Sequence, residues 1–149
     1  MRTIDVLDRN ILMELETDAR QSFRDIARKL KVSIATVINR TKIMEKAGII
    51  RGYSARLDSE KLGYDIVAII EIVVSKGKLL EVEEKIAKMP QVHQVYDITG
   101  QTDAIIMAKF PDRKELSQFV KSLLSMPYVE RTNTHVVLTA IKEDLRLFA

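Results

Sequence analysis

The rhythm of apolar and polar positions changes partway along this chain. In the first fifty residues apolar side chains recur every three or four positions, the period of helices packed on a core. Leu7, Ile11, Leu12 and Leu15 share one face of a helix predicted from near Asp5 to about Glu16. Asp5 and Asp8 suit its N-terminus, where the helix dipole favours negative charge. Phe23, Ile26, Ala27 and Leu30 make the stripe of a second helix, opened by the capping-box-like Ser22-Phe-Arg-Asp25. A short turn, Lys31-Val32, leads to Ser33, a good N-cap for a third helix from Ile34 to about Ala47, which Gly48 stops. The predicted inward face of that helix is Ile34, Val37, Ile38, Thr41 and Met44. Its outward face is Ala35, Thr36, Asn39 and Arg40, with Lys42 and Lys46 on the flanks.

From Ile50 to Leu57 the pattern turns to alternation, so this stretch reads as an extended segment, a strand. The rest carries a weak duplication. Lys88-Met-Pro-Gln-Val92 recurs as Ser125-Met-Pro-Tyr-Val129, 37 positions on. Each half reads strand, helix, Met-Pro-x-Val, strand. The predicted strands are about 66–75, 92–99, 103–110 and 132–141, and the helices about 78–88 and 113–126, each closed by a proline. This βαββαβ order is the ferredoxin-like arrangement, so the fold class is α+β. The first strand, Ile66 to Val74, is apolar at both alternating sets of positions, and Ala104–Ala108 and Val136–Ile141 are similar. Two helices cover one face of such a sheet. A second copy packed sheet to sheet is the simplest cover for the other, so a homodimer is expected.

Charge adds to this picture. Of 24 Lys and Arg against 21 Asp and Glu, residues 1–50 hold 10 and 7. The remainder is balanced at 14 of each, by subtraction. From Arg28 to Lys46 the balance is six basic residues to one acid, the one-signed clustering that phosphate binding requires. Two helices joined by a tight turn, the second basic, form a helix-turn-helix, whose second helix sets its N-terminal residues against base edges. Small Ala35 and Thr36 allow close approach; Asn39 suits adenine, and Arg40 suits guanine or phosphate. Ser33 lies at the same helix start. Lys42, Lys46, Arg28 and Lys29 are placed to grip phosphates.

The chain has no Cys and two His, His93 and His135, so neither a thiolate nor a metal site is expected. No Ser/His/Asp set, metal-ligand spacing or phosphate-cradling loop appears, and no catalytic residue or cofactor is assigned. The longest apolar run is too short to span a bilayer. Met1–Arg9 already carries two acids, unlike a signal peptide. The expected location is cytoplasmic, associated with the nucleoid.

Several of these segments together resemble a known family. Asp8 to Leu15, Arg24-Asp-Ile-Ala-Arg-Lys-Leu30, Val32-Ser-Ile-Ala-Thr-Val37, Arg40 and Glu45-Lys-Ala-Gly-Ile-Ile50 are similar to the helix-turn-helix of the Lrp/AsnC, or feast/famine, regulators. The likeness continues through Gly52-Tyr-Ser-Ala-Arg-Leu-Asp58 and Leu62-Gly-Tyr64. It implies a winged-type helix-turn-helix domain (1–50), a hinge and connector (51–65), and a RAM domain (66–149) for oligomerisation and effector binding. It also implies a sequence-specific transcription regulator that binds double-stranded DNA as a dimer, tetramer or octamer, modulated by an amino acid or other small effector. The alternative is an architectural protein that bridges or wraps DNA with little sequence choice. Siroheme decarboxylases share the two modules, but the two His stand on separate predicted strands. In the family a Thr-Gly-x-x-Asp loop helps form the effector pocket. Here Thr99-Gly-Gln-Thr-Asp103 matches it, so Gly100, Thr102, Asp103, Thr132 and Thr134 are the expected effector residues. Three departures stand out: Lys31 where the turn often has Gly, Thr41 in place of an aliphatic residue, and Ile43 where a basic residue is common.

Overall fold

The computed structural model describes residues 3–148. The chain divides into two compact units, one running up to Arg56 and taking in the segment from Lys142 onward, the other running from Leu57 to Ile141.

In the first unit, α1 (Val6–Thr17), α2 (Phe23–Leu30) and α3 (Ile34–Lys46) follow one another closely. Each starts on a side-chain cap. Asp5 and Asp8 form a reciprocal capping box on α1. Ser22 accepts from the Asp25 amide at α2, and Ser33 from the Thr36 amide at α3. Such caps satisfy amides that have no partner inside the helix. The core is Ile11, Leu12, Leu15, Ile26, Ala27, Val37 and Met44. Ile34, expected inside, is 42% exposed. It is the first residue of α3, one turn before the stretch that crosses the other helices. Residues 51–57, expected to form a strand, join no ladder among the described residues.

The second unit holds β1 (Ile66–Val74), α4 (Leu79–Ile86), β2 (Val92–Asp97), β3 (Ala104–Phe110), α5 (Arg113–Ser125) and β4 (Val129–Val136). The antiparallel sheet has the order β2-β3-β1-β4, as the βαββαβ reading requires. Alternate residues Ala68, Ile70, Ile72 and Val74 of β1, with Ala104, Ile106, Ala108 and Phe110 of β3, are buried with Val82, Ile86, Phe119 and Leu123 of the helices.

The last strand is displaced from its expected range of 132–141. It begins at Val129, after Tyr128 in a left-handed conformation (φ 74°), and pairs with β1 across a bulge between Val73 and Val74. It ends at Val136, opposite Ala68, with one further bond from the Val137 amide to the Val67 carbonyl (2.9 Å). Beyond that point β1 has run out, so the apolar residues to Ile141 have no strand to pair with. Leu138 and Ile141 are accordingly 95% and 92% exposed.

Candidate nucleic-acid interface and ligand-binding unit

The turn before α3 is built by Lys31, whose backbone is left-handed (φ 55°), a conformation that costs a residue with a Cβ. The Val32 amide reaches back to the Ala27 carbonyl (3.0 Å), and the chain re-enters helix at Ser33. The Ser33 and Thr36 hydroxyls lie 2.8 Å apart, so both belong to the cap that starts α3. Ala35, Asn39, Lys42 and Lys46 are exposed along one stripe of the helix, and Ile43 beside them is 45% exposed. Asn39, Lys42 and Lys46 make no side-chain hydrogen bond or ion pair among the described residues, so this stripe is open to an outside partner.

The other predicted DNA-binding residues are placed differently. The Arg40 guanidinium faces α1, bound to the Asp5 carboxylate and 3.3 Å from Asp8 Oδ1. Asp8 is fully buried. The Asp8 amide and the Arg40 guanidinium hold the Asp5 carboxyl below its ordinary range, and the same pairing raises Arg40. Arg40 therefore clamps α3 to the start of α1 and is not part of the outward stripe. Arg28 is paired with Asp25 at 2.8 Å on an exposed surface. Lys29 binds Glu14 of α1 and Gln21 Oε1 (3.0 Å). Both are engaged in ion pairs within the unit, on exposed side chains.

Close to the end of α3, the Tyr53 hydroxyl donates to Glu45 (3.0 Å). Burial first, and then this carboxylate, push the phenol up to about 12.

In the second unit, the loop from Ile98 to Asp103 joins β2 to β3. Gly100 holds φ 136°, which only glycine adopts freely. Asp103 anchors the loop: its Oδ2 accepts from the Val74 amide (2.8 Å) and its own amide donates to the Ile72 carbonyl (2.9 Å). The ladder between β1 and β3 ends at Ile72 opposite Ala104, so the Val74 amide lies beyond the last strand acceptor on that side, and the carboxylate supplies one. Asp103 thus has a structural task as well as the one expected of it. Thr102 is half-buried in the same loop. Thr132 stands opposite Ile72, at the same end of β1. Thr134 lies two positions further along, opposite Ile70, and lines a groove of about 570 Å³ with Ile66, Leu116, Val120, Val136, Arg113 and Lys121. Gly100, Thr102 and Asp103 do not line that groove.

Two acids unnoticed in the sequence lie near the loop. Glu83 on α4 has a buried Oε1 without a hydrogen-bond partner. Burial, then the charges of Asp97 and Asp103, push its carboxyl up. No spacing rule connects these three positions; only the fold does.

The uncovered face of the sheet carries Val67, Ile69 and Val73 of β1 and Ile105 and Met107 of β3, none of them among the fully buried residues. Beside them, Asn133 donates to Glu71 Oε2 (3.1 Å) and contacts His135 Nε2 (3.0 Å). His93 lies on the other edge strand, so the two His do not converge.

Each half of the chain matches a recognised domain. Residues 4–45 match the AsnC-type helix-turn-helix domain, and residues 67–147 match the Lrp/AsnC ligand binding domain. The chain belongs to the Lrp/AsnC family of transcriptional regulators. It is 49% identical to an uncharacterised HTH-type transcriptional regulator of Pyrococcus furiosus, over 97% of each chain. It is 32% identical to the HTH-type transcriptional regulator FL11 of Pyrococcus horikoshii, over 97% of this chain and 95% of that one. Among solved structures, it resembles the transcriptional regulator NMB0573 of Neisseria meningitidis, seen in complex with L-Met (31% identity, TM-score 0.89, 97% and 96% covered). It also resembles E. coli AsnC (26% identity, TM-score 0.89, 95% and 97% covered). These relatives are named as regulators, not enzymes. Like them, this Lrp/AsnC regulator carries a DNA-binding helix-turn-helix and a ligand-binding domain. No helix among the described residues is long and apolar enough to cross a membrane.

Proposed function

We propose that this chain is a sequence-specific, dimeric DNA-binding regulator whose reading face is the open stripe of α3. The observation that carries the reading is that Asn39, Lys42 and Lys46 share one exposed stripe with the small Ala35. Base edges fall to Ala35, Thr36 and Asn39, with Ser33 fixing the helix start. Lys42 and Lys46 take phosphates. Arg40, tied to α1, orients the helix instead of reading a base. Arg28 and Lys29 add positive potential from within their ion pairs. Residues 1–50 form the reading domain, 51–65 the hinge, and the sheet unit the assembly and effector domain. Two copies packed through the uncovered sheet faces present two third helices to major grooves about 34 Å apart, or a multiple of it.

The effector is a small molecule of the amino-acid class. The Neisseria relative's complex with L-Met supports this reading, as does the match to a ligand binding domain. Around the Gly100–Asp103 loop, Glu83, Asp97 and Asp103 set a negative potential that suits an ammonium group, and Thr132 offers a hydroxyl at the same end of the sheet. Thr134 faces a separate groove with two cationic side chains, which suits a carboxylate.

The deciding experiment is selection of bound duplexes from a random pool, with and without a panel of amino acids. A palindromic consensus whose affinity exceeds that of random DNA by well over tenfold is expected. A difference below about tenfold would replace this reading with the architectural, DNA-bridging one. A selected set that no amino acid alters would remove the effector assignment.

A further inference from the structure

The segment from Lys142 to Phe148 packs with the helical unit although it follows the whole sheet unit in sequence. Its docking is specific. Glu16 on α1 accepts two consecutive backbone amides, Leu147 (2.8 Å) and Phe148 (2.9 Å). The Phe148 ring packs against the helical core, with the Arg9 guanidinium 5.6 Å from its centroid, within cation–π range. Arg9 and Glu16 are seven positions apart and so share a face of α1. Upstream, Arg56 donates to the Glu143 carbonyl (2.8 Å), and Arg146 forks onto the Asp144 carboxylate (3.0 and 2.8 Å). These contacts leave little freedom to seven residues that form no helix or strand.

The same helix, α1, also holds the reading helix, because Asp5 and Asp8 grip Arg40 of α3. The two sets of contacts therefore meet on α1 and its N-cap. We propose that the C-terminal segment is a strap that belongs to the DNA-binding machinery: docked on α1, it keeps α1 and α3 in the arrangement that engages DNA, and its release weakens DNA binding. The proposal rests on the DNA-binding reading above. It gives the ligand-binding unit a second covalent route to the reading head, since the strap continues from β4 through residues 137–141.

The test uses the full chain and a duplex selected by the wild-type protein. Phe148→Ala and Glu16→Gln are expected to weaken binding about tenfold, a typical coupling between linked sites, while Phe148→Tyr keeps wild-type affinity. Linkage is reciprocal, so DNA must slow hydrogen exchange at the Leu147 and Phe148 amides of the wild-type protein by the same factor. Melting curves confirm that each variant is folded at the assay temperature. Unchanged affinity in a folded Phe148→Ala variant would overturn the strap. So would a loss of affinity with exchange at the two amides unmoved by DNA, because that marks damage to the fold. If the wild-type protein selects no duplex, the DNA-binding reading fails as well, and that result is distinct from failure of the strap alone.

Discussion

Thr41 is buried in the middle of α3, and its hydroxyl has no hydrogen-bond partner. A buried hydroxyl left unpaired costs stability that an apolar group of the same shape does not. Thr41→Val should therefore stabilise the helical unit by about 1 kcal/mol, read as a higher denaturant midpoint with unchanged DNA affinity. Glu83 shows the same physics with a charge. Its folded carboxyl is pushed up, so folding disfavours the ionised form and the penalty is present above the folded value. It fades as pH falls through the carboxylate range, where the group is protonated in both states. Glu83→Gln should raise the melting temperature at pH 7, and the gain should vanish in acid. A gain that is independent of pH would mean the charge is not its cause. Lys31 was partly legible at this scale: it stands where the resembling family often has Gly, and the left-handed backbone found there explains that preference. Glu83 was not, because its burial is set by a sheet and loop formed elsewhere in the chain.

Among the elements, the helices were readable to within a residue or two because their caps are local chemistry. Asp5, Ser22 and Ser33 bind amides three positions ahead, and a sequence carries that spacing on its face. Arg40's contacts were hidden for the opposite reason. Its partners lie 32 and 35 positions away, and a basic residue on a recognition helix looks the same whether it faces a base or an acid. The two roles separate by experiment. Arg40→Ala should lower the melting temperature of the helical unit, since it strips a charged hydrogen bond from the buried Asp8, with any loss of DNA affinity following the loss of fold. Weakened binding at unchanged melting temperature would return Arg40 to the base-reading set. The final strand failed in another way. Val136–Ile141 has the composition of a sheet segment, but pairing needs a neighbour, and β1 begins at Ile66. Apolar alternation records what a strand would bury, not whether a partner strand reaches that far.

For the whole molecule, the uncovered sheet face is the main unmet demand. Val67, Ile69, Val73, Ile105 and Met107 form an apolar field on the side away from α4 and α5, and Leu138, Ile141, Leu145 and Leu147 are at least 84% exposed. Ile69→Lys should weaken self-association by about 2–4 kcal/mol, as expected at the centre of an interface. Light scattering should then report 17.0 kDa in place of twice that mass. An unaltered mass would move the dimer contact away from the sheet. The ferredoxin-like order was visible from the 37-residue duplication, whereas the contribution of Phe148 to the helical core was hidden, since it is contact at a distance without a motif. That contribution bears on how the protein is made. Phe148 leaves the ribosome after every residue of the sheet unit. The helical unit, although translated first, completes its packing last, and a nascent chain carries an unfinished reading head until its synthesis has passed the entire ligand-binding unit.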